Sequence, residues 1–412
     1  MTDTLPLHDL PLVPLGLGFD MLEGVRVIDL TTSVAGPYGA MLLGDMGAEV
    51  IKVERFHGDD ARAWGPPFLE EESLWFLSVN RNKQSVRLDY AKPEGYQVLC
   101  DLIRGADVLI VNAPGRVAKK LQIDYETLKT LNPRLVYISI TGFGLDGARA
   151  DWPCYDLIAE GYSGVMDITG ELGGEPQKVG APAADMLGGQ DAAYAALAAL
   201  FKRQRTGEGA LIDVALVDSM TRFLACRIVP YLGSGETPKR TGAKDSVIAI
   251  YQAFDTADLP LTLGLGNDGI WARFWELLGR PGMISDPRYA TNASRRELRE
   301  EITGVIQDIL RTRPREAWLA EFRKARIPSG PINRVDEVSR DEALLERGVI
   351  YRTPAPAGHD VPQVGLAIRI DGQSSQPRLA PPRLGEHTHA VLGGLLGYED
   401  AKIDALSASG VI

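Results

Sequence analysis

The sequence predicts an α/β protein in which a parallel sheet covered by helices on both faces forms a large domain, with a smaller α/β domain set into the chain. Three observations carry this expectation. Strand-like and helix-like segments alternate through the first half. The strand-like segments are unbroken apolar runs, the mark of strands buried on both faces. The texture then changes near residue 225 and again near residue 330.

Residues 1–21, "MTDTLPLHDLPLVPLGLGFDM", read as a Pro-rich arm that leads into the first strand and is laid over a partner subunit; the stretch lacks the basic start and long apolar core of a signal peptide. The first part of the large domain is expected over 22–224. In it "VRVIDL" (25–30) is a β-branched strand, "GPYGAMLLGDMG" (36–47) a helix closed by glycine, and "AEVIKVE" (48–54) a second strand, which together make a βαβ unit. After "SVRLDY", the segment "PEGYQVLCDLIRGA" is a helix with proline at its start and glycine at its end, and "DVLIVN" (107–112) and "LVYISITGFG" (135–144) are further strands. The small domain is expected over 225–330, where the strand candidate "LPLTLGLG" precedes the amphipathic helices "IWARFWELLG" and "EAWLAEFRKA". The tail, 331–412, holds a strand-like "VGLAIRI" and a final helix "HAVLGGLLGY", and is expected to return to the large domain.

A chain of 412 residues has room for two or three domains and a large core, and 45% hydrophobic with 24% charged residues is ordinary globular composition. The net charge of −11 argues against a broad nucleic-acid or anionic-membrane surface, leaving open a local basic pocket for a phosphorylated ligand. No run of about 18 apolar residues occurs, so no membrane span is expected. Cys100, Cys154 and Cys226 lie far apart without a CxxC pair, which fits a reducing cytoplasm better than a disulfide framework or a zinc site.

Three features invite a chemical reading. Gly264–Gly269, "GLGNDG", satisfies G-x-G-x-x-G, but no second apolar strand follows to complete a βαβ unit, so a plain glycine-rich turn is the better reading. His387 and His389 fall on different sides of a helix and the other histidines are isolated, so no metal site is expected; no G-x-S-x-G elbow occurs either. Asp185, in "VGAPAADMLGGQDAAYAALAALF" (179–201), stands just ahead of a nearly uncharged helix and reads locally as its N-cap. Ala183, Ala184, Gly188 and Gly189 leave room around it for a ligand. A helix N-terminus also stabilises a carboxylate, and a carboxylate can act as a nucleophile.

Taken in order, the blocks "LEGVRVIDLTTSVAGPYGAMLLGDMGAEVIKVER", "NRNKQSVRLDY", "NPRLVYISITGFGLDG", "YDLIAEGYSGVMDITG", "FKRQRTGEGALIDVALVDSM" and "PPRLGEHTHAVLGGLLGY" resemble the class III coenzyme A transferases of the CaiB/BaiF type. That family also holds formyl-CoA transferase, carnitine CoA-transferase and α-methylacyl-CoA racemase. The resemblance runs from residue 22 over nearly the whole chain. It implies a Rossmann-like large domain split along the chain, an inserted small domain, and two subunits interlocked as a homodimer. The implied activity moves coenzyme A from an acyl-CoA, with succinyl-CoA one candidate, to a free small carboxylic acid. CoA thioesters are then substrates, and no cofactor is permanently bound.

The same resemblance makes Asp185 the nucleophile, passing through an aspartyl anhydride and an aspartyl-CoA thioester, with Tyr155 and Asp156 as supporting residues. Racemases of the family carry histidine where Tyr155 stands; a phenol of pKa about 10 is a poor base near neutrality, so a racemase or epimerase is the weaker alternative. A non-catalytic acyl-CoA-binding relative is a further alternative, against which the presence of Asp185 argues. Ser33, Val34 and Ala35 match the family's turn beside the thioester, although formyl-CoA transferases have glutamine where Val34 stands. Arg55 matches an arginine near the CoA phosphates. Asn112 is kept from the family's "ENFRPG" block, here "VNAPGR", in which the arginine is displaced to Arg116; Lys120 is a further basic position near the nucleotide. Gly264, Gly266 and Asn267 fall where family members carry a loop that can cover the active site.

Overall fold

The computed structural model describes residues 6–16, 18–355 and 358–412, so residues 1–5 and 17 of the arm lie outside the described residues. The chain divides into two units. The first is built from residues 1–165, 178–234 and 339–412, the second from 166–177 and 235–338.

The first unit is organised by six strands: β1 (Arg26–Asp29), β2 (Glu49–Glu54), β3 (Lys83–Arg87), β4 (Val108–Val111), β5 (Val136–Thr141) and β6 (Ala210–Ala215). Their spatial order is β3-β2-β1-β4-β5-β6, and every neighbouring pair is parallel. This is the doubly wound order, which reverses between β1 and β4 and binds ligands outside the carboxyl ends of the strands at that point. The helices that matter for the site are α1 (Ala35–Asp45), α2 (Pro93–Arg104), α3 (Asp156–Ser163), α4 (Ala183–Thr206), α5 (Leu216–Phe223) and α6 (Ala225–Ser234).

The apolar runs explain the layering. Val27 and Ile28, Val50 and Ile51, and Val108 through Val111 are all buried, as a sheet covered on both faces requires. Helix α2 starts on Pro93, ends before Gly105, and turns Val98, Leu99, Leu102 and Ile103 into the core. Val391, Leu392, Ile403, Leu406 and Val411 join that same core, so the tail belongs to this unit. Helices α1 and α4 meet through glycine. A Cβ on Gly189 would stand 2.4 Å from the Ala35 carbonyl oxygen, and one on Gly39 would stand 2.8 Å from the Gly189 carbonyl oxygen.

The second unit has an antiparallel sheet of β7 (Tyr251–Phe254), β8 (Leu261–Gly264) and β9 (Ser329–Pro331) in the order β9-β8-β7. Helices α7 (Asp268–Leu277), α8 (Arg299–Leu310) and α9 (Arg315–Lys324) bring Trp271, Phe274, Trp275, Ile302, Ile306, Trp318 and Phe322 into its core.

Several expectations need correction. The unit boundaries fall at 234 and 338 rather than 224 and 330, and residues 166–177 join the second unit. Helix α6 follows α5 after Leu224 alone, whose carbonyl accepts from Arg227 and Ile228, so residues 225–234 stay with the first unit. Strand β6 was not expected: its first residues alternate in exposure because it is a sheet edge. In "VGLAIRI" pairing ends at Val364 and resumes only at Arg369–Ile370, and the tail's longest helix is Asp400–Ala408 rather than the glycine-rich stretch before it. The described part of the arm is also held by its own chain: Val13 donates to the Arg352 carbonyl at 2.8 Å, and Arg352 donates to the Pro11 carbonyl at 2.9 Å. No described helix is long and apolar enough to cross a membrane.

The glycine contact gives a direct test by unfolding in urea. Gly189→Ala forces backbone against backbone and is expected to destabilise by about 1–3 kcal/mol. Gly304→Ala, in α8 with nothing within 4 Å of the added carbon, is expected to stabilise by up to about 1 kcal/mol.

Candidate active site

Asp185 is not the N-cap of α4. The helix begins at Ala183 after Pro182, which offers no side-chain cap, and Asp185 is the third residue inside. The capping group comes from another helix. Asp156, at the start of α3, accepts the N–H of Ala184 at 2.8 Å and that of Asp185 at 3.1 Å through the same Oδ1. Such a cap contributes about 0.5–2 kcal/mol, and here it also occupies the donors that a carboxylate at Asp185 would otherwise attract.

The consequence is electrostatic. Burial, and after it the neighbouring charge of Asp156, pushes the Asp185 carboxyl up to about 7. No histidine is among the groups whose charge bears on it. Asp185 therefore titrates near neutrality as a thinly hydrated carboxylate. Cys154, beside Tyr155, is a rival nucleophile that the sequence reading did not weigh. Burial, then the charge of Asp185, raises its thiol to about 11, so it is protonated at neutral pH and the weaker nucleophile. Tyr155 flanks α3 in extended conformation and is 70% exposed, open to a ligand.

A second helix start is organised differently. Ser33, after β1, has φ +72°, a left-handed conformation that costs a non-glycine residue energy unless its surroundings hold it there. Its N–H donates to Asp59 Oδ1 at 2.8 Å. Thr32 and Asn112 exchange hydrogen bonds of 3.2 and 2.9 Å across the switch point between β1 and β4. Beneath them Lys52 Nζ sits 2.8 Å from Asp59 and donates to the Thr31 carbonyl at 2.8 Å. Lys83 Nζ reaches Asp29 at 2.9 Å and the Pro37 carbonyl at 2.8 Å. Burial raises the Asp29 carboxyl, but the charges of Lys52 and Lys83 outweigh it and hold the group at about 2. The turn is thus fixed from below by four buried charges. Helix α1 then begins with no side-chain cap, and among the described residues no acceptor meets the N–H groups of Val34, Ala35 and Gly36. One helix start is closed by Asp156; the other is open.

The structure therefore joins Tyr155 and Asp156 to Asp185, and Ser33, Val34 and Ala35 to Asn112. Asn112 pins the turn. Arg55 is exposed just after β2, 3.8 Å from Asp89 and with its guanidinium over the Tyr90 ring, and Arg116 is exposed, 4.0 Å from Asp151. Lys120 is exposed at the end of a short helix, Gly115–Lys120. A cleft of about 700 Å³ is lined by Val34, Tyr38, Pro182, Met186 and Trp75, so both helix starts border it. Its charged lining residue, Arg81, is committed to Asp45 at 2.6 and 2.9 Å, so among the described residues the cleft offers apolar walls and no unpaired cation. Gly264, Gly266 and Asn267 belong to the second unit, where the Asn267 side chain caps α7 by accepting from Ile270 at 2.9 Å. The antiparallel strands on either side exclude a dinucleotide βαβ unit there. Among the described residues no group of three His, Cys, Asp or Glu side chains is arranged to hold a metal ion.

The raised Asp185 predicts two pH effects. Below about pH 4 the group is neutral both folded and unfolded; between there and about 7 the folded state holds the extra proton, so stability falls as pH rises through that window. Asp185→Asn is therefore expected to gain stability over the wild type as pH rises toward 7, with no gain in acid, measured by urea unfolding. Reactions that need the Asp185 anion are expected to show an acid limb near pH 7 in kcat/KM.

A family model described as CoA-transferase family III matches residues 22–388. The chain is 38% identical over 393 residues to a succinyl-CoA:glutarate CoA-transferase of Mus musculus, covering 95% of this chain and 90% of that protein. It is 40% identical over 382 residues to a succinate–glutarate CoA-transferase of Agrobacterium fabrum, covering 91% and 95%. Among solved structures, a CaiB/BaiF family protein from Brucella suis superimposes with a TM-score of 0.80 at 38% identity, over 91% of this chain and 99% of that one. With a doubly wound sheet, an acid of raised pKa in the first turn of α4 and this match along its length, the chain belongs to CoA-transferase family III and is a CoA-transferase.

Proposed function

We propose that the enzyme moves CoA between succinyl-CoA and a short dicarboxylic acid such as glutarate, with Asp185 as the covalent nucleophile. The observation that carries the nucleophile is the remote cap: Asp156 occupies the N–H groups of Ala184 and Asp185, leaving the Asp185 carboxylate half-buried, raised in pKa and, among the described residues, without a hydrogen-bond donor. The dicarboxylate specificity is supported by the names of the mouse and Agrobacterium relatives.

In the proposed sequence an Asp185 oxygen attacks the thioester carbonyl carbon, and the C–S bond breaks to release CoA thiolate and leave a mixed anhydride. The thiolate attacks the aspartyl carbonyl, expelling the donor acid and forming an aspartyl-CoA thioester. The acceptor carboxylate displaces the thiolate to form a second anhydride. The thiolate then takes the acceptor acyl group and restores the Asp185 carboxylate. Each step exchanges one activated acyl bond for another, so no nucleotide hydrolysis is needed. Every step passes through an oxyanion, and the open N–H groups of Val34 and Ala35 are the proposed donors to it. Arg55, Arg116 and Lys120 are proposed to meet the CoA phosphates, for which guanidinium and ammonium groups are suited.

We also propose the interlocked homodimer of the family. Tyr194 and Phe201 on α4 and Val229 and Leu232 on α6 are each at least 65% exposed, an apolar surface that a second subunit would cover. The three free cysteines fit a reducing compartment.

The test is kinetic. Asp185→Ala is expected to lose transfer while binding of free CoA, measured by calorimetry, stays nearly unchanged. With succinyl-CoA as donor, the initial rate for glutarate is expected to exceed those for monocarboxylic and aromatic acids by at least about tenfold, a difference of about 1.4 kcal/mol. An alanine variant with full activity removes the mechanism; equal rates across the acids remove the specificity.

A further inference from the structure

Asp156 is not the only carboxylate by which α3 holds the chain segment carrying Asp185. Glu160 lies one turn further along the same helix face, and its side chain is fully buried. Its Oε2 accepts the N–H of Val179 at 2.8 Å. Val179 opens the "VGAP" run that leads into α4, so α3 grips this segment at two points, Val179 through Glu160 and the helix start through Asp156.

The other oxygen of Glu160 is the informative one. Oε1 is buried and meets no N–H or O–H donor among the described residues. Asp156, four residues earlier on the same helix, is the neighbouring carboxyl, and its charge and side-chain hydrogen bonding act on Glu160. Glu160 is buried and Asp156 half-buried, and two carboxylates in contact with one of them cut off from water disfavour a double charge, which is relieved by one proton between them. With that proton on Oε1, Glu160 donates to Asp156 while Oε2 still accepts from Val179, and Asp156 keeps its Oδ1 for Ala184 and Asp185. All the polar groups are then satisfied.

Resting on Asp185 as the nucleophile, we infer that Glu160 is a positioning residue for it, acting as the neutral acid: its O–H holds Asp156 in the cap while its carbonyl oxygen holds Val179. The proton also leaves one negative charge rather than two on the pair beside Asp185. The surrounding charges agree with a held proton. Burial raises the Glu160 carboxyl; the Val179 N–H opposes this, the charge and hydrogen bond of Asp156 reinforce it, and Lys178 opposes it weakly. Cys154, on the approach to α3, is a neutral thiol. On α5, which also packs on α3, Asp218 lies toward Asp213, and Arg222 is paired with Asp191 of α4 at 2.5 Å.

The experiment compares Glu160→Gln, Glu160→Met and Asp185→Ala with the wild type, measuring kcat and the KM for acyl-CoA from mildly acidic to alkaline pH. Glu160→Met loses both contacts and is expected to lower kcat on the order of 10²-fold, the cost of a misplaced reacting group, with a smaller change in KM. Glu160→Gln keeps a donor toward Asp156 and an acceptor toward Val179. It is expected to recover most of that loss and to carry activity further into the alkaline range, where the wild type loses the shared proton. Should the methionine variant fail to fold, the alkaline limb of Glu160→Gln decides alone. A glutamine variant as impaired as the methionine one, or one whose alkaline limb coincides with the wild type, overturns the inference. So does an unchanged kcat in Glu160→Met. If Asp185→Ala keeps transfer activity, the nucleophile reading fails as well; if it is inactive while both Glu160 variants match the wild type, only the role of Glu160 falls.

Discussion

The site depends on where the cap of α4 comes from. A helix leaves its first N–H groups without partners, and an acid in the first turn ordinarily settles on them. Here Asp156 takes those of Ala184 and Asp185 from the start of α3. Asp185 keeps the helix position and loses the hydrogen bonds, and burial beside the Asp156 charge brings its carboxyl to about 7. A carboxylate that is ionised in part at neutrality and poorly stabilised is more reactive than one bonded to its own helix.

The open start of α1 complements the closed start of α4. Its preceding turn is strained at Ser33, and the strain is held by Asp59, which accepts from Ser33 and pairs with Lys52 beside Lys83 and Asp29. Burying four charges is costly, and they persist only because each is paired and hydrogen-bonded. What the network gains is a rigid row of backbone N–H groups at the point where the strand order reverses. Direct contact between Gly39 and Gly189 brings the two helices close enough for both starts to border one cleft.

Much of this was legible in the sequence, and the exceptions have physical causes. The strands of "VRVIDL", "AEVIKVE" and "DVLIVN" read correctly because a strand buried on both faces needs an unbroken apolar run. Strand β6 did not, since an edge strand alternates and "ALIDVA" carries no stronger mark. Asp185 was found from its family match and its small neighbours, but its cap was misread: the true capping group stands 29 residues earlier and reaches it only through the fold. Lys52 and Asp29 did leave a signal, as charged residues inside otherwise apolar strands, which predicts a buried partner for each. Glu160 left none, because an acid in a short helix looks like any solvated residue until its burial is known.

The most direct measurement is chemical trapping at Asp185. The enzyme is incubated with acyl-CoA and no acceptor acid, quenched with hydroxylamine, digested and sequenced by mass spectrometry. A hydroxamate at Asp185 that requires acyl-CoA is the predicted result. Absence of any adduct under turnover conditions, or an adduct on Asp156 or Glu160 instead, would contradict the account.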